Sequence, residues 1–269
     1  MLQIVVLAVV QGLTEFLPVS SSGHLILVPH LTGWPDQGLM MDVAVHVGSL
    51  AAVLIYFWRD VLAMVVGLLN WLRGRRAPGA RLAGQILLGT IPALAVGFLL
   101  TRYAGTGLRQ VEVVAWTMIA FGVALWFADR FGMTINRVEH MGWGQALIIG
   151  LAQCLAFVPG TSRSGITMVA GRLLGYQRAE AARFSFLLSI PAIAAAGLWE
   201  GRHLLEPDAT HALSELAWGA GLSALTALAA IAFMMSWLRR ATFLPFVIYR
   251  LALGTGLLIW IYGYGGPAG

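Results

Sequence analysis

The sequence predicts an all-α polytopic membrane protein, an inverted-topology repeat of two five-helix halves, each a re-entrant helical hairpin plus three transmembrane spans. Hydrophobic residues make up 59% of the 269 residues, and the mean hydropathy of +0.80 lies outside the range of soluble domains. Two serine-rich segments match when one is shifted by 142 residues, which aligns Ser20 with Ser162. Short apolar helices flank both segments and indicate broken hairpins.

The first half is predicted to cover residues 1–131. Its apolar segments 1–15 and 21–31 are too short to cross a bilayer singly, and they flank the first serine segment. We therefore expect them to form a re-entrant hairpin. Three spans are predicted to follow at 39–72, which is interrupted at Arg59-Asp60, at 82–100 and at 111–131.

The second half is predicted to cover residues 144–263 and repeats this order. Segments 144–158 and 163–175 are short and flank the second serine segment. The predicted spans of this half are 184–202, 213–238 and 243–263. Because three spans are an odd number, the second half is expected to lie upside down relative to the first, with the two hairpin tips meeting inside the membrane.

Arginine placement predicts the orientation, because cytoplasmic loops carry the excess of positive charge. Eleven arginines fall on one side if the loop after the first span is cytoplasmic: Arg73, Arg75, Arg76, Arg81, Arg130, Arg137, Arg172, Arg178, Arg183, Arg239 and Arg240. The opposite side receives Arg102, Arg109 and Arg202, together with the acids Glu200, Glu206, Asp208 and Glu215. Both termini are then expected to lie on the side of the membrane opposite the cytoplasm.

Three arginines remain at membrane depth, where a guanidinium is costly unless it is paired or hydrated. Arg59 stands beside Asp60 and is expected to form a local ion pair that reaches the interface. Arg250 is either structural or a second cationic wall of a site. Arg163 lies between two serines at a predicted loop tip, which favours a functional role.

The two serine segments have the composition of an anion site. Ser20-Ser21-Ser22-Gly23 and Ser162-Arg163-Ser164-Gly165 each lead into a helix, whose amino end presents N–H donors and partial positive charge. Arg163 can bind phosphate oxygens in a bidentate manner. Two such helix ends converging on one point suit a diphosphate.

The charged groups that occur in one copy only suggest catalysis. Glu15 can ligate a divalent cation or act as a base, and Gln11 lies one helical turn earlier and can add a carbonyl ligand. His24 can deprotonate Ser21 for attack on phosphorus or protonate the leaving phosphate. Asp42 and His46 share a face of the next helix and are weaker candidates for the pocket lining.

These motifs resemble the bacterial undecaprenyl pyrophosphate phosphatase family, also called the bacitracin resistance protein family. The resemblance rests on Gln11–His24 and Pro159–Gly165 and extends to Phe184–Pro191 and Phe243–Arg250. It implies removal of the terminal phosphate of a C55 isoprenyl diphosphate at the periplasmic face of the bacterial inner membrane, with magnesium or calcium as cofactor. The carrier lipid is thereby recycled for peptidoglycan synthesis.

The resemblance also implies site residues. Glu15, Ser21, His24 and Arg163 would be catalytic or phosphate-binding, and Ser162, Ser164 and Thr161 would support them. Gln11 takes the glutamine form of the first family signature, which offers one carboxylate fewer than the glutamate form. Membrane phosphatases of the type 2 phosphatidic acid phosphatase superfamily are excluded, since the histidine required six residues after their arginine is Val169 here.

Several alternatives stay open at this stage. A carrier that flips polyprenyl phosphate or another lipid anion would also use an inverted repeat with broken helices. The nucleophile is either Ser21 or a metal-bound water that Ser21 orients. Membrane lipids and the isoprenoid substrate are the expected partners, nucleic acid is not, and a homodimer is compatible with the sequence.

Overall fold

The computed structural model describes residues 1–35, 38–75, 77–103, 110–201 and 213–266. Within these ranges the protein consists of eleven α-helices without a β-strand. They are α1 Leu2–Phe16, α2 Ser21–Thr32, α3 Gly38–Tyr56, α4 Trp58–Leu72, α5 Pro78–Tyr103, α6 Val111–Phe131, α7 Trp143–Gln153, α8 Arg163–Leu173, α9 Arg178–Gly201, α10 Leu213–Trp237 and α11 Leu244–Tyr264. Two 3-10 turns, Val138–His140 and Cys154–Phe157, adjoin α7.

The all-helical membrane architecture expected from the sequence is confirmed. Five helices, α5, α6, α9, α10 and α11, are long and apolar enough to cross a bilayer, and they lie at the expected places in the chain. The apolar helix α1 is shorter, as is α7 with the 3-10 turn that follows it. The observed spans α5 and α9 begin four and six residues before their predicted starts.

The predicted span 39–72 is not one continuous helix. It consists of α3 and α4, whose axes differ by 81° across a break at Phe57. The expected ion pair between Arg59 and Asp60 is also wrong. Asp60 Oδ1 instead accepts a hydrogen bond of 2.5 Å from Arg183 Nη2 on α9, while the Arg59 guanidinium lies 5.3 Å from the centre of the Trp58 ring.

A buried polar cluster holds the ends of α6, α8 and α9 together. Arg172, which the sequence places at the cytoplasmic end of segment 163–175, is completely buried and donates to the carbonyls of Gly132, Met133 and Tyr176. Asp129 lies beside it and accepts a hydrogen bond of 2.5 Å from Arg178. These carbonyls follow helix ends and lack helical donors, so Arg172 satisfies groups that a membrane environment would leave unpaired.

Part of the predicted charge distribution cannot be followed in the structure. Arg76, Arg109, Arg202, Glu206 and Asp208 lie outside the described residues. The side chains of Arg102 and Glu200 also lie outside them.

Helices α1 and α3 pack against α10 through small residues. Gly12 of α1 is buried against α10, where an added Cβ would lie 2.0 Å from Thr226 Oγ1 and 2.6 Å from the Ser223 carbonyl oxygen. Gly48 of α3 packs against α10 in the same way, since a Cβ added there would lie 2.1 Å from the Ala220 carbonyl oxygen. Small residues allow this close backbone approach, which is a common source of helix association in membranes.

We predict that Gly12→Ala lowers the free energy of unfolding in detergent by about 1–3 kcal/mol, since the new methyl group overlaps the α10 backbone. Gly221→Ala on α10 is the matched control, because nothing lies within 4 Å of a Cβ added there. That variant is expected to be neutral or slightly stabilised by the helix propensity of alanine. Equal losses in the two variants would contradict the close α1–α10 contact.

Candidate functional site

The two serine segments have similar backbone conformations at their N-cap serines. Ser20 has φ +74° and Ser162 has φ +72°, and these are the two non-glycine residues with positive φ in the described ranges. Each is the N-cap of the next helix, where its Oγ accepts from the N–H of Gly23 at 3.2 Å or of Gly165 at 3.1 Å. Positive φ costs about 1–3 kcal/mol at a non-glycine residue, so the surrounding structure must hold both tips in place.

Arg250 on α11 is the residue that holds the two tips together. Its side chain is 1% exposed, and its guanidinium donates to Pro18 O of the first segment at 3.2 Å. It also donates to Gly160 O at 2.8 Å and Thr161 O at 3.1 Å of the second segment. Further bonds reach the carbonyls at the centre of α6. Arg250 is therefore structural, which resolves the two roles that the sequence left open.

The second tip also needs a glycine. Gly160 has φ +87°, and an added Cβ would lie 2.0 Å from Thr117 Oγ1. That hydroxyl donates to the Pro159 carbonyl at 2.6 Å and fixes the tip to α6. A hydrogen bond of 3.1 Å from Ser164 Oγ to the Leu17 carbonyl joins the second tip to the first.

Glu15 is the centre of the polar contacts between the tips. Its Oε1 accepts from Arg163 Nη2 at 2.8 Å, although 148 residues separate the two in sequence. Its Oε2 accepts from Ser21 Oγ at 2.6 Å and from Gln11 Nε2 at 3.0 Å. His46 Nε2 lies 3.8 Å from the same oxygen. The acid of one copy and the guanidinium of the other thus form one site.

Glu15, Ser21, His46 and Arg163 line a cavity of about 540 Å³, and the polar part of its lining is called the floor below. The polar side chains that line it are Glu15, Ser21, Ser22, His46, Gln153, Ser162 and Arg163. The walls are apolar and come from the C-terminal parts of α5 and α9 and from the 3-10 turn after α7: Ala93, Leu94, Gly97, Phe98, Leu100, Ala156, Phe157, Ala192, Ile193, Ala195, Ala196 and Trp199. A charged floor under apolar walls fits an amphiphile whose head is anionic.

Some of the predicted site residues line the cavity, and others are buried behind its surface. Of the candidates, Glu15, Ser21, Ser22, Ser162 and Arg163 line it. The remaining candidates lie behind this surface. Gln11, Ser20, Ser164 and Thr161 are completely buried, and Gly165 packs against the Ser162 cap.

His24 lies away from Ser21. Its Nδ1 is 2.6 Å from the Ser20 carbonyl oxygen, and its Nε2 is 2.5 Å from the Tyr249 hydroxyl. The imidazole also stacks on the Tyr249 ring at a centroid distance of 5.7 Å. Both ring nitrogens are therefore engaged, and the hydroxyl of Ser21 points to Glu15 instead.

Sequence reasoning underrated or missed four side chains around the site. His46 was rated as a minor candidate, although helical spacing from Asp42 did indicate a shared face. Gln153 aligns with Gln11 under the shift of 142 residues, but this alignment alone does not indicate that it lines the cavity. Nothing local in the sequence marks Tyr249 as a partner of His24 or Arg250 as the residue that joins the tips.

The donor set is compatible with a divalent cation that takes further ligands from a substrate. Gln11 Oε1 is buried without a hydrogen-bond partner, next to the Glu15 carboxylate. Magnesium is commonly bound through one or two carboxylates plus phosphate oxygens. The described ranges hold no group of three or more His, Cys, Asp or Glu side chains suited to a metal. Glu15 and Gln11 alone would be an incomplete site.

The chain matches the profile of the family described as Bacitracin resistance protein BacA over residues 4–256. It is 53% identical over 270 residues to undecaprenyl-diphosphatase 1 of Rhodospirillum rubrum, covering 97% of this chain and 95% of that protein. It is 51% identical to the undecaprenyl-diphosphatase of Chromohalobacter salexigens and 50% identical to that of Hahella chejuensis. Each of these two alignments covers 97% of this chain and 98% of the relative.

We predict that Arg250→Met lowers the free energy of unfolding by about 3 kcal/mol or more, because several buried carbonyl groups lose their donor together. Amide hydrogen exchange should also accelerate at both serine segments. Arg239→Met is the control, since Arg239 is exposed. Faster exchange at only one segment would contradict a shared attachment of the two tips.

Proposed function

Because the chain belongs to the bacitracin resistance protein family, we propose that it is an undecaprenyl-diphosphate phosphatase, which hydrolyses the terminal phosphate of a C55 isoprenyl diphosphate. The observation that carries this proposal is the contact of Glu15 with both Ser21 and Arg163 on the floor of an apolar-walled cavity. The proposed nucleophile Ser21, the base Glu15 and the phosphate-binding guanidinium of Arg163 thus lie together in a cavity that an isoprenyl lipid can enter.

The cavity suits each part of such a lipid. Arg163 has five N–H donors, of which one contacts Glu15 and another lies 3.4 Å from the Ser185 carbonyl oxygen, so the guanidinium can bind phosphate oxygens in addition. The aliphatic and aromatic walls are compatible with the isoprenyl chain, because they present no polar groups that the chain would leave without hydrogen bonds. The diphosphate would lie on the floor and the chain along α5 and α9.

Ser21 is the proposed nucleophile and Glu15 its base. The hydroxyl already donates to Glu15 at 2.6 Å, so the carboxylate can take the proton as Oγ attacks the terminal phosphorus. A bond forms between Oγ and phosphorus, and the bond to the bridging oxygen breaks to release undecaprenyl phosphate. Water then cleaves the phosphoserine, regenerating Ser21 and releasing phosphate. This geometry favours Glu15 over His24 as the proton acceptor.

Arg163 stabilises negative charge on the transferred group, and the first residues of α2 and α8, Ser21 and Arg163, both line the cavity. We assign His24 a positioning role at the start of α2, because it bonds the Ser20 carbonyl and Tyr249. Glu15 and Gln11 would hold a magnesium or calcium ion together with substrate oxygens. When bound, such a cation neutralises charge on the diphosphate.

We further propose that the fold is an inverted repeat with two re-entrant hairpins, one from each half. Equivalent helices make equivalent contacts, since α1 packs on α2 and α10 while α7 packs on α8 and α5. The pairs α3–α9 and α6–α11 relate the two halves directly. Identical cap geometry at Ser20 and Ser162 supports the same relation. Among the residues that the structure describes, no helix of the second half corresponds to α4.

The cavity is proposed to open to the periplasmic face of the bacterial inner membrane. Its walls come from the C-terminal parts of α5 and α9, which are the ends that the arginine distribution assigns to the outer side. Carrier lipid released by cell-wall synthesis would enter from that leaflet.

We predict that Ser21→Ala, Glu15→Gln and Arg163→Ala each lower kcat for phosphate release from undecaprenyl and farnesyl diphosphate by at least about 100-fold. Purified protein in detergent and a phosphate assay suffice for the measurement. Ser236→Ala, which changes an exposed serine of α10, is the control and should keep full activity. Unchanged turnover in Arg163→Ala would refute the site assignment.

The same assay separates an enzyme from a carrier. A lipid flippase would bind the diphosphate without releasing phosphate, so binding without turnover in the unaltered protein would favour that function. Trapping of a phosphoserine at Ser21 would identify the nucleophile, whereas its absence together with residual activity in Ser21→Ala would indicate direct attack by water.

We predict that a chelator abolishes phosphate release and that magnesium or calcium restores it. Gln11→Leu should raise the cation concentration needed for half-maximal activity several-fold, because one oxygen ligand is lost. Gln85→Leu is the matched control, since Gln85 is equally buried but binds the Met141 carbonyl. Full activity after chelation would rule out the cation.

A further inference from the structure

Gln153 is a buried amide whose hydrogen-bonding groups have no partner. It is the last residue of α7 and is 2% exposed, yet it lines the same cavity as Ser162, Arg163 and Glu15. Neither its Nε2 nor its Oε1 has a hydrogen-bond partner in the structure. Burying an unpaired polar group costs about 1–3 kcal/mol, so an amide in this position indicates a partner that the protein chain does not supply.

The equivalent amide in the first copy shows what kind of partner is missing. Gln11 Nε2 donates at 3.0 Å to the carboxylate of Glu15, four residues later. In the second copy the residue four positions after Gln153 is Phe157, which forms part of the apolar wall. The two glutamines are therefore matched, but only the first has an anion from the protein.

We propose that Gln153 Nε2 donates a hydrogen bond to a phosphate oxygen of the isoprenyl diphosphate, which supplies the anion that Glu15 supplies to Gln11. The inference rests on the proposed function and adds a substrate-binding residue to it. The amide nitrogen can only donate, which favours an anionic acceptor, and the same cavity is lined by Arg163, whose charge attracts a diphosphate. Gln11 and Glu15 are the oxygen ligands proposed for a cation.

The test is Gln153→Leu, examined by binding of farnesyl methylenediphosphonate, a non-hydrolysable diphosphonate, and by thermal unfolding of the free protein. We expect the dissociation constant to rise at least tenfold, while Tm stays equal or increases because an unpaired buried amide has been removed. KM for farnesyl diphosphate should rise with it. Gln85→Leu, the control, should lower Tm without changing affinity, since that amide donates to the Met141 carbonyl and does not line the cavity.

Two results would overturn the proposal. One is an affinity within twofold of the unaltered protein, and the other is a loss of affinity matched by a fall in Tm. Gln153→Glu adds a second criterion, because a carboxylate would repel the diphosphate and weaken binding further. Tighter magnesium-dependent binding in that variant would show that the amide oxygen serves a cation instead. Binding is measured without turnover, so a failure of the phosphatase assay would leave this test intact.

Discussion

The buried guanidinium of Arg250 is the interaction on which the site depends. Both serine segments interrupt a helix inside an apolar protein, and each leaves carbonyl groups without helical donors. A single side chain from α11 donates to carbonyls of both segments and of α6. Its own charge is desolvated at a cost, which these carbonyl dipoles offset. Arg250 thus supplies hydrogen-bond donors to the carbonyl groups of both interrupted helices. It also fixes the relative position of the two segments, and therefore the distance between Glu15 and Arg163.

The two serine segments are alike at their N-caps, and the proposed chemistry comes from the residues in which they differ. Ser20 and Ser162 cap their helices with nearly the same φ, so the two tips are built alike. Only the first copy carries a carboxylate, and only the second carries a guanidinium. The ion pair between them joins the halves at the floor of the cavity. Two identical copies would provide only an anion-binding site, whereas Glu15 beside Ser21 adds the proposed base.

The position of the site follows from the nature of the proposed substrate. An isoprenyl diphosphate has a strongly charged head and a chain that stays in lipid, so the protein must present polar groups below an apolar wall. The low dielectric around the floor strengthens the contacts of Arg163 and Glu15 relative to water. It also makes any unpaired polar group costly, which is why the isolated amide of Gln153 is informative. In this cavity an unpaired buried amide is therefore a clearer indication of ligand binding than a charge on the protein surface.

The sequence by itself predicted most of the helices, the two matching serine segments and most of the polar residues that line the cavity, because apolar periodicity and capping depend on near neighbours in the chain. It could not determine the 81° bend after α3, the partner of Asp60, or the role of Arg250. The contacts of Glu15 with Arg163 and of His24 with Tyr249 span 148 and 225 residues. Such pairs depend on how the helices pack, so only the tertiary structure decided that Ser21 faces Glu15 and that His24 faces α11.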